Sequence, residues 1–117
     1  MIVEIRTYRL KPGTIDEFVR VMRSEAAPLL AAAGIDVVDC GPSLAREDGF
    51  EEAYLIRSFA SLASRDALES AFYGSAAWHD GPRAAVLAPI EQYHTIVLDL
   101  PEAAVAALRH AAARRDA

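Results

Sequence analysis

Three polar side chains recur at every second position near the start of the chain. Glu4, Arg6 and Tyr8 lie in the sequence EIRTYRLKPG, and because a strand alternates its faces with period two, all three point the same way. A guanidinium is a fixed cation, and a phenol can orient a phenolic or anionic ligand. The structural alternative is that Glu4 and Arg6 form a cross-strand or intersubunit ion pair while Tyr8 covers the sheet. Arg6 and Tyr8 are therefore candidate ligand-binding residues.

A second group of such side chains surrounds a predicted break in a helix. Gly74 and the Gly81-Pro82 pair prevent a continuous helix there, which leaves backbone groups for a ligand or water to satisfy. Tyr73 and Trp78 are candidate contacts for a small apolar or aromatic molecule, although Trp78 is also suited to packing in the core or at a rim. Histidine titrates near neutral pH, so His79 is the candidate general base.

The spacing of residues gives no support to metal or nucleotide chemistry. His79, His94 and His110 are far apart in the sequence, and none has a second ligand at a metal-binding spacing. The phosphate-binding patterns GxGxxG and GxxxxGK[ST] are absent, as is the nucleophile elbow GxSxG. The lone Cys40 is typical of a small buried apolar residue. The sequence therefore predicts no metal, flavin or nicotinamide cofactor.

Composition excludes several classes of protein. The net charge of −5 over 117 residues argues against a nucleic-acid partner or an anionic membrane surface, since both require a basic face. No apolar run approaches the roughly 20 residues that span a bilayer, and no secretory signal is expected. A single cysteine favours a cytoplasmic location. Abundant alanine with only one lysine, Lys11, suggests a bacterial genome rich in G and C.

Hydrophobic periodicity predicts the order β-α-β-β-α-β followed by a C-terminal helix, which is the ferredoxin-like arrangement of an α+β protein. Thr14 and Glu17 are predicted to form a capping box at the first helix. Pro28 should kink or restart that helix, and Gly34 should end it. The strands are predicted at residues 2–10, 35–40, 52–59 and 91–98.

Right-handed crossovers place both main helices on one face of a four-stranded antiparallel sheet. The other face is then bare, which predicts burial against a second copy of the chain. The third strand should lie beside the first. Tyr54 and Arg57 fall on opposite faces of the third strand, so one of them should join the row of Arg6 and Tyr8.

The pattern E-x-R-T-Y-x-x-K-P-G at residues 4–13 resembles the opening of the NIPSNAP family, and FYGSAAW at residues 72–78 resembles its second signature. The resemblance covers roughly residues 1–98. It implies a dimeric α/β barrel, with a NIPSNAP-like domain at residues 1–100 and a helical extension at 101–117. The function expected is a homodimeric small-molecule-binding or assembly module. The alternative is a cofactor-independent monooxygenase or isomerase that acts on an aromatic or polyketide-like substrate, an analogy of fold alone.

Overall fold

The four strands form one antiparallel sheet in the order β2-β3-β1-β4. The computed structural model of the chain describes residues 1–116. β1 lies at the centre of the sheet, between β3 and β4, so the predicted position of the third strand and the ferredoxin-like α+β fold are confirmed. The strands are β1 (Ile2–Leu10), β2 (Asp36–Pro42), β3 (Glu51–Phe59) and β4 (Ile90–Asp99).

The first five α-helices cover one face of the sheet and the sixth lies on the other. The main core combines the even-numbered side chains of β1 with apolar side chains of the first five helices, such as Phe18, Leu30, Phe72 and Val86. The helices are α1 (Ile15–Val21), α2 (Ala27–Ala32), α3 (Leu62–Tyr73), α4 (Ala76–His79), α5 (Arg83–Leu87) and α6 (Glu102–Asp116). No helix within residues 1–116 is long and apolar enough to cross a membrane.

A wider π-helical turn, Met22–Ala26, joins α1 to α2. Pro28 lies in the first turn of α2, and its nitrogen has no hydrogen to donate to the preceding turn. The Ala27 amide donates instead to the Met22 carbonyl, five residues earlier. The helix ends where Gly34 adopts a φ of +84°, a conformation that glycine takes without strain.

The predicted capping box at Thr14 does not form. The Thr14 hydroxyl donates to the Lys11 carbonyl at 2.6 Å, and the Glu17 carboxylate pairs with Arg20. The carboxylate of Glu51 in β3 accepts from the Ile15 amide at 3.4 Å and also from the Gly13 amide. A side chain distant in sequence therefore caps the helix, because the turn brings its first amides against the end of β3.

The expectation of a bare second face is wrong, because α6 packs across part of it. Val105 of α6 joins Val3 and Val38 in a small apolar cluster on this face. Arg109 pairs with Asp36, and Arg115 pairs with Asp39. The part of β4 beyond α6 keeps apolar side chains exposed, among them Ile96 and Leu98.

Candidate functional site

A cavity of about 430 Å³ lies between helices α3 to α5 and the face of the sheet that α1 to α5 cover. The sequence analysis singled out five candidate side chains for ligand binding or catalysis, and all of them line this cavity. They come from β1, from the end of α3 and from α4: Arg6, Tyr8, Tyr73, Trp78 and His79.

The break between α3 and α5 shapes the wall of the cavity. The Ser75 hydroxyl accepts from the Trp78 amide at 3.3 Å and thereby begins α4, the usual role of serine at a helix start. A Cβ atom at Gly81 would lie 2.3 Å from the Ala77 carbonyl oxygen, so only glycine fits this close approach. The chain therefore leaves α4 after a single turn and starts again as α5.

Three aromatic rings form one side of the cavity. The centroid of the Phe72 ring lies 5.1 Å from that of Tyr73 and 5.6 Å from that of Trp78, and Tyr73 and Trp78 are 5.2 Å apart. These spacings are those of favourable edge-to-face and tilted pairs. Trp78 is largely buried and also lines the cavity, so part of its side chain borders the void.

A charged network lies behind the wall. Arg57 is fully buried and pairs with Glu4, its cross-strand neighbour. The Arg57 guanidinium also donates to the Tyr73 hydroxyl at 2.8 Å and to Glu69 at 3.1 Å. Arg65 donates to the second oxygen of Glu4 at 2.8 Å. Arg57 is therefore the side chain of β3 that joins the polar row of β1. Tyr54 lies on the opposite face and donates to Asp39 there.

The two carboxyl groups of the network differ in pKa. Burial would raise the pKa of Glu4, but the hydrogen bond with Glu69 and the charge of Arg57 outweigh it and lower the pKa to about 2. Burial, together with the hydrogen bond to Glu4, raises the pKa of Glu69 to about 7. Glu4 is therefore the carboxyl that stays ionised beside Arg57, and Glu69 is the carboxyl of the pair that more readily holds a proton.

The two candidate residues on β1, Tyr8 and Arg6, differ in the charge and the contacts of their polar groups. Burial raises the pKa of the Tyr8 phenol, which therefore stays neutral and can donate a hydrogen bond. Arg6 donates through Nε to the Thr95 hydroxyl at 2.9 Å, and its guanidinium carbon lies 5.3 Å from the Tyr93 ring centroid. The expected ion pair of Arg6 with Glu4 is loose, at 3.6 Å, because Arg57 and Arg65 occupy the carboxylate.

Sequence reasoning missed Glu69, which lines the cavity with 13 % of its side chain exposed. The only signal for it was Arg65 four residues earlier on the predicted helix, a spacing typical of an ordinary surface ion pair. His79, by contrast, lies exposed at the cavity mouth. Of the two, Glu69 is the more enclosed group that can accept a proton.

No cluster of three or more side chains that could hold a metal ion occurs within the part of the chain that the structure describes. Cys40 is buried, as predicted, and burial raises the pKa of its thiol. A thiol that resists deprotonation is a poor nucleophile. The titratable side chains that line the cavity carry guanidinium, carboxyl, phenol and imidazole groups.

Comparison with known proteins places the chain among small α+β proteins. The family model described as NIPSNAP matches residues 3–101. An uncharacterized NIPSNAP domain protein from Burkholderia xenovorans is 17 % identical, with a TM-score of 0.75 and coverage of 86 % of this chain and 95 % of that one. A NIPSNAP family protein of unknown function from Agrobacterium tumefaciens is 26 % identical, with a TM-score of 0.68 and coverage of 84 % and 86 %.

More distant likeness extends to an antibiotic biosynthesis monooxygenase. It is 14 % identical, with a TM-score of 0.55 and coverage of 86 % of this chain and 99 % of that one. Identity at this level is evidence of a shared fold and carries no statement about the reaction. No curated protein sequence matches the chain.

Proposed function

The chain belongs to the NIPSNAP family, and on that premise we propose that it is a homodimeric module whose cavity binds a small aromatic molecule. The observation that carries the proposal is the cavity itself. Its volume of about 430 Å³ lies within the range of about 300–1,000 Å³ typical of small-molecule sites. Its wall combines an aromatic cluster with a few polar side chains, which is the composition such sites share.

Trp78 offers a direct test, since it is the only tryptophan of the chain and lines the cavity. Titration with two-ring aromatic and quinone-like compounds should shift or quench its emission in a saturable way. A series that leaves the emission unchanged up to millimolar concentration would contradict the proposal.

A matched pair of variants locates the binding. Ala26 lines the cavity, so Ala26→Leu should fill part of it and weaken binding about tenfold, because the ligand loses contact area. Ala63→Leu makes the same change at an exposed position of α3 and should leave the affinity unchanged. Equal effects of the two variants would place any binding outside the cavity.

The proposed homodimer uses the second face of the sheet. Ile96 and Leu98 of β4 remain exposed beside α6, and burying about 800 Å² per partner is typical of a specific interface. Ile96→Asp combined with Leu98→Asp should shift sedimentation from dimer to monomer, while Leu44→Asp in an exposed loop should not. A monomeric wild-type protein at micromolar concentration would exclude the dimer.

The single cysteine and the acidic composition support a cytoplasmic location, and the origin of the similar structures supports a bacterial source. The monooxygenase or isomerase alternative gains nothing from the shared fold alone. It requires turnover of a bound compound, which the titration series would reveal as a change in the compound's own absorbance.

A further inference from the structure

The charged side chains in and behind the cavity wall carry a surplus of positive charge. Four guanidinium groups face three carboxyl groups, one of them Asp66 beside Arg65 at 3.3 Å, which leaves a local charge of at least +1 in a chain whose net charge is −5. The other groups are Arg6 and Arg83, which line the cavity, Arg57 and Arg65 behind it, and the carboxyl groups of Glu4 and Glu69.

Arg6 has donors that the protein leaves free. Its Nε is satisfied by Thr95 at 2.9 Å, but its Nη2 lies 3.6 Å from Glu4 and 3.7 Å from Glu69, beyond hydrogen-bond distance. A guanidinium has five N–H groups in a planar fork. With 18 % of its side chain exposed, Arg6 presents the remaining N–H groups to the cavity.

Arg83 supplies a second cation at the mouth. It lies in the first turn of α5 and is exposed, and within residues 1–116 it makes no ion pair. The two cations therefore stand on different elements, one on the sheet and one on the helices. Both guanidinium groups line the same cavity, so an anion bound there is attracted by two cations.

The remaining wall suits an apolar body. Trp78, Leu87 and Ile90 line the same cavity, and Leu87 keeps a large exposed surface. A planar hydrocarbon against these side chains would remove apolar area from water on both molecules. The cavity thus combines two cations, Arg6 on the sheet and Arg83 on α5, with an apolar surface.

We infer that the ligand is an anionic aromatic compound whose carboxylate or phenolate is bound by the free N–H groups of Arg6, with Arg83 at the entrance. This rests on the proposed function and adds the chemical class of the ligand. Charge-assisted hydrogen bonds from a guanidinium are about twice as strong as neutral ones. A neutral compound of the same shape lacks them and binds more weakly.

The test uses 2-naphthoate and 2-naphthamide, which share their shape and differ in charge. Isothermal titration calorimetry of the wild-type protein should give an affinity for 2-naphthoate about tenfold higher than for 2-naphthamide. Arg6→Gln should abolish this preference with little change for the amide. Arg83→Gln should reduce the preference by about threefold without affecting folding, since Arg83 is exposed. Arg20→Gln removes an exposed guanidinium of α1 that does not line the cavity, and it should leave both affinities unchanged.

Each other outcome has a distinct meaning. Equal affinity of the wild-type protein for the two compounds would overturn the inference and leave the aromatic site standing. A preference for 2-naphthoate that persists in both Arg6→Gln and Arg83→Gln would also overturn it, because the anion would then be held elsewhere. Failure of both compounds, and of the whole aromatic series, to bind would refute the proposed function and the inference together.

Discussion

Helices cover both faces of the sheet, but they enclose different side chains. On the first face, α1 to α5 enclose an aromatic cluster, a fully buried Arg57–Glu4 pair and a cavity. On the second face, α6 encloses a small cluster centred on Val3 and Val105, and its ion pairs with Asp36 and Asp39 are only partly buried.

The two faces differ in how their contents affect stability. Burying a charged pair carries a desolvation penalty that well-packed apolar side chains avoid, and an unfilled cavity forfeits dispersion contacts. On the second face, α6 is attached by a small apolar cluster together with ion pairs of Arg109 and Arg115, and within residues 1–116 no buried charged pair lies beneath it. The buried charges and the void of the first face cost stability, as the proposed ligand-binding role requires.

The largest effect is expected from the buried pair. Arg57→Ala should lower the free energy of unfolding by about 3–5 kcal/mol, because it leaves Glu4 buried beside fewer cations. Arg6→Ala should cost only about 1 kcal/mol, because its ion pairs are loose and its side chain is partly exposed. Urea denaturation of the two variants measures the contrast. Equal losses would mean that the charges of the first face do not differ in burial as described.

A smaller effect is expected on the second face. Val105→Ala should lower the free energy of unfolding by about 2 kcal/mol, since it removes two buried methyl groups. Arg109→Ala should cost about 1 kcal/mol, because its pair with Asp36 is still partly exposed to solvent. Thermal denaturation of both variants tests whether apolar packing rather than charge holds α6. A larger loss in Arg109→Ala would reverse that conclusion.

A further effect concerns pH. The folded state raises the pKa of Glu69 from an ordinary value of 4.5 to about 7. The folded state therefore holds a proton that the unfolded chain releases, and the associated stability is complete below about pH 4.5 and is lost as the pH rises through 7. Glu4, with its pKa lowered to about 2, has the opposite sign: its contribution is present above about 4.5 and is lost in acid.

Melting temperatures at about pH 5 and pH 8 check the sign for Glu69. The wild-type protein should lose more stability between the two values than Glu69→Gln, in which the amide imitates the protonated acid. Glu47→Gln, in an exposed turn, should keep the wild-type slope. A Glu69→Gln variant with the wild-type slope would show that this carboxyl does not titrate as described.

The sheet order and the residues at the cavity were accessible from the sequence, because both depend on local patterns. Period-two alternation placed Arg6 and Tyr8 on one face, and two glycines marked the helix break beside Trp78. Contacts between side chains far apart in the sequence could not be predicted. The Glu51 cap of α1 and the capture of Glu4 by Arg57 and Arg65 depend on distances that only the fold sets.

The position of α6 was also beyond the sequence. Its alanine-rich pattern predicts a helix but marks no apolar stripe strong enough to assign a face. Val105 is the residue that α6 contributes to the buried part of this cluster, and its partners Val3 and Val38 come from strands far earlier in the chain. The expectation of a bare sheet face failed for this reason.

The most direct test of the central claim is a high-resolution crystal structure of the protein crystallised with 2-naphthoate. Ligand binding in the cavity predicts electron density for one naphthoate per chain, with its ring against Trp78 and its carboxylate within about 3 Å of the Arg6 guanidinium. A cavity that contains only ordered water at a saturating concentration of the compound, or that closes by repacking of Trp78, would contradict it.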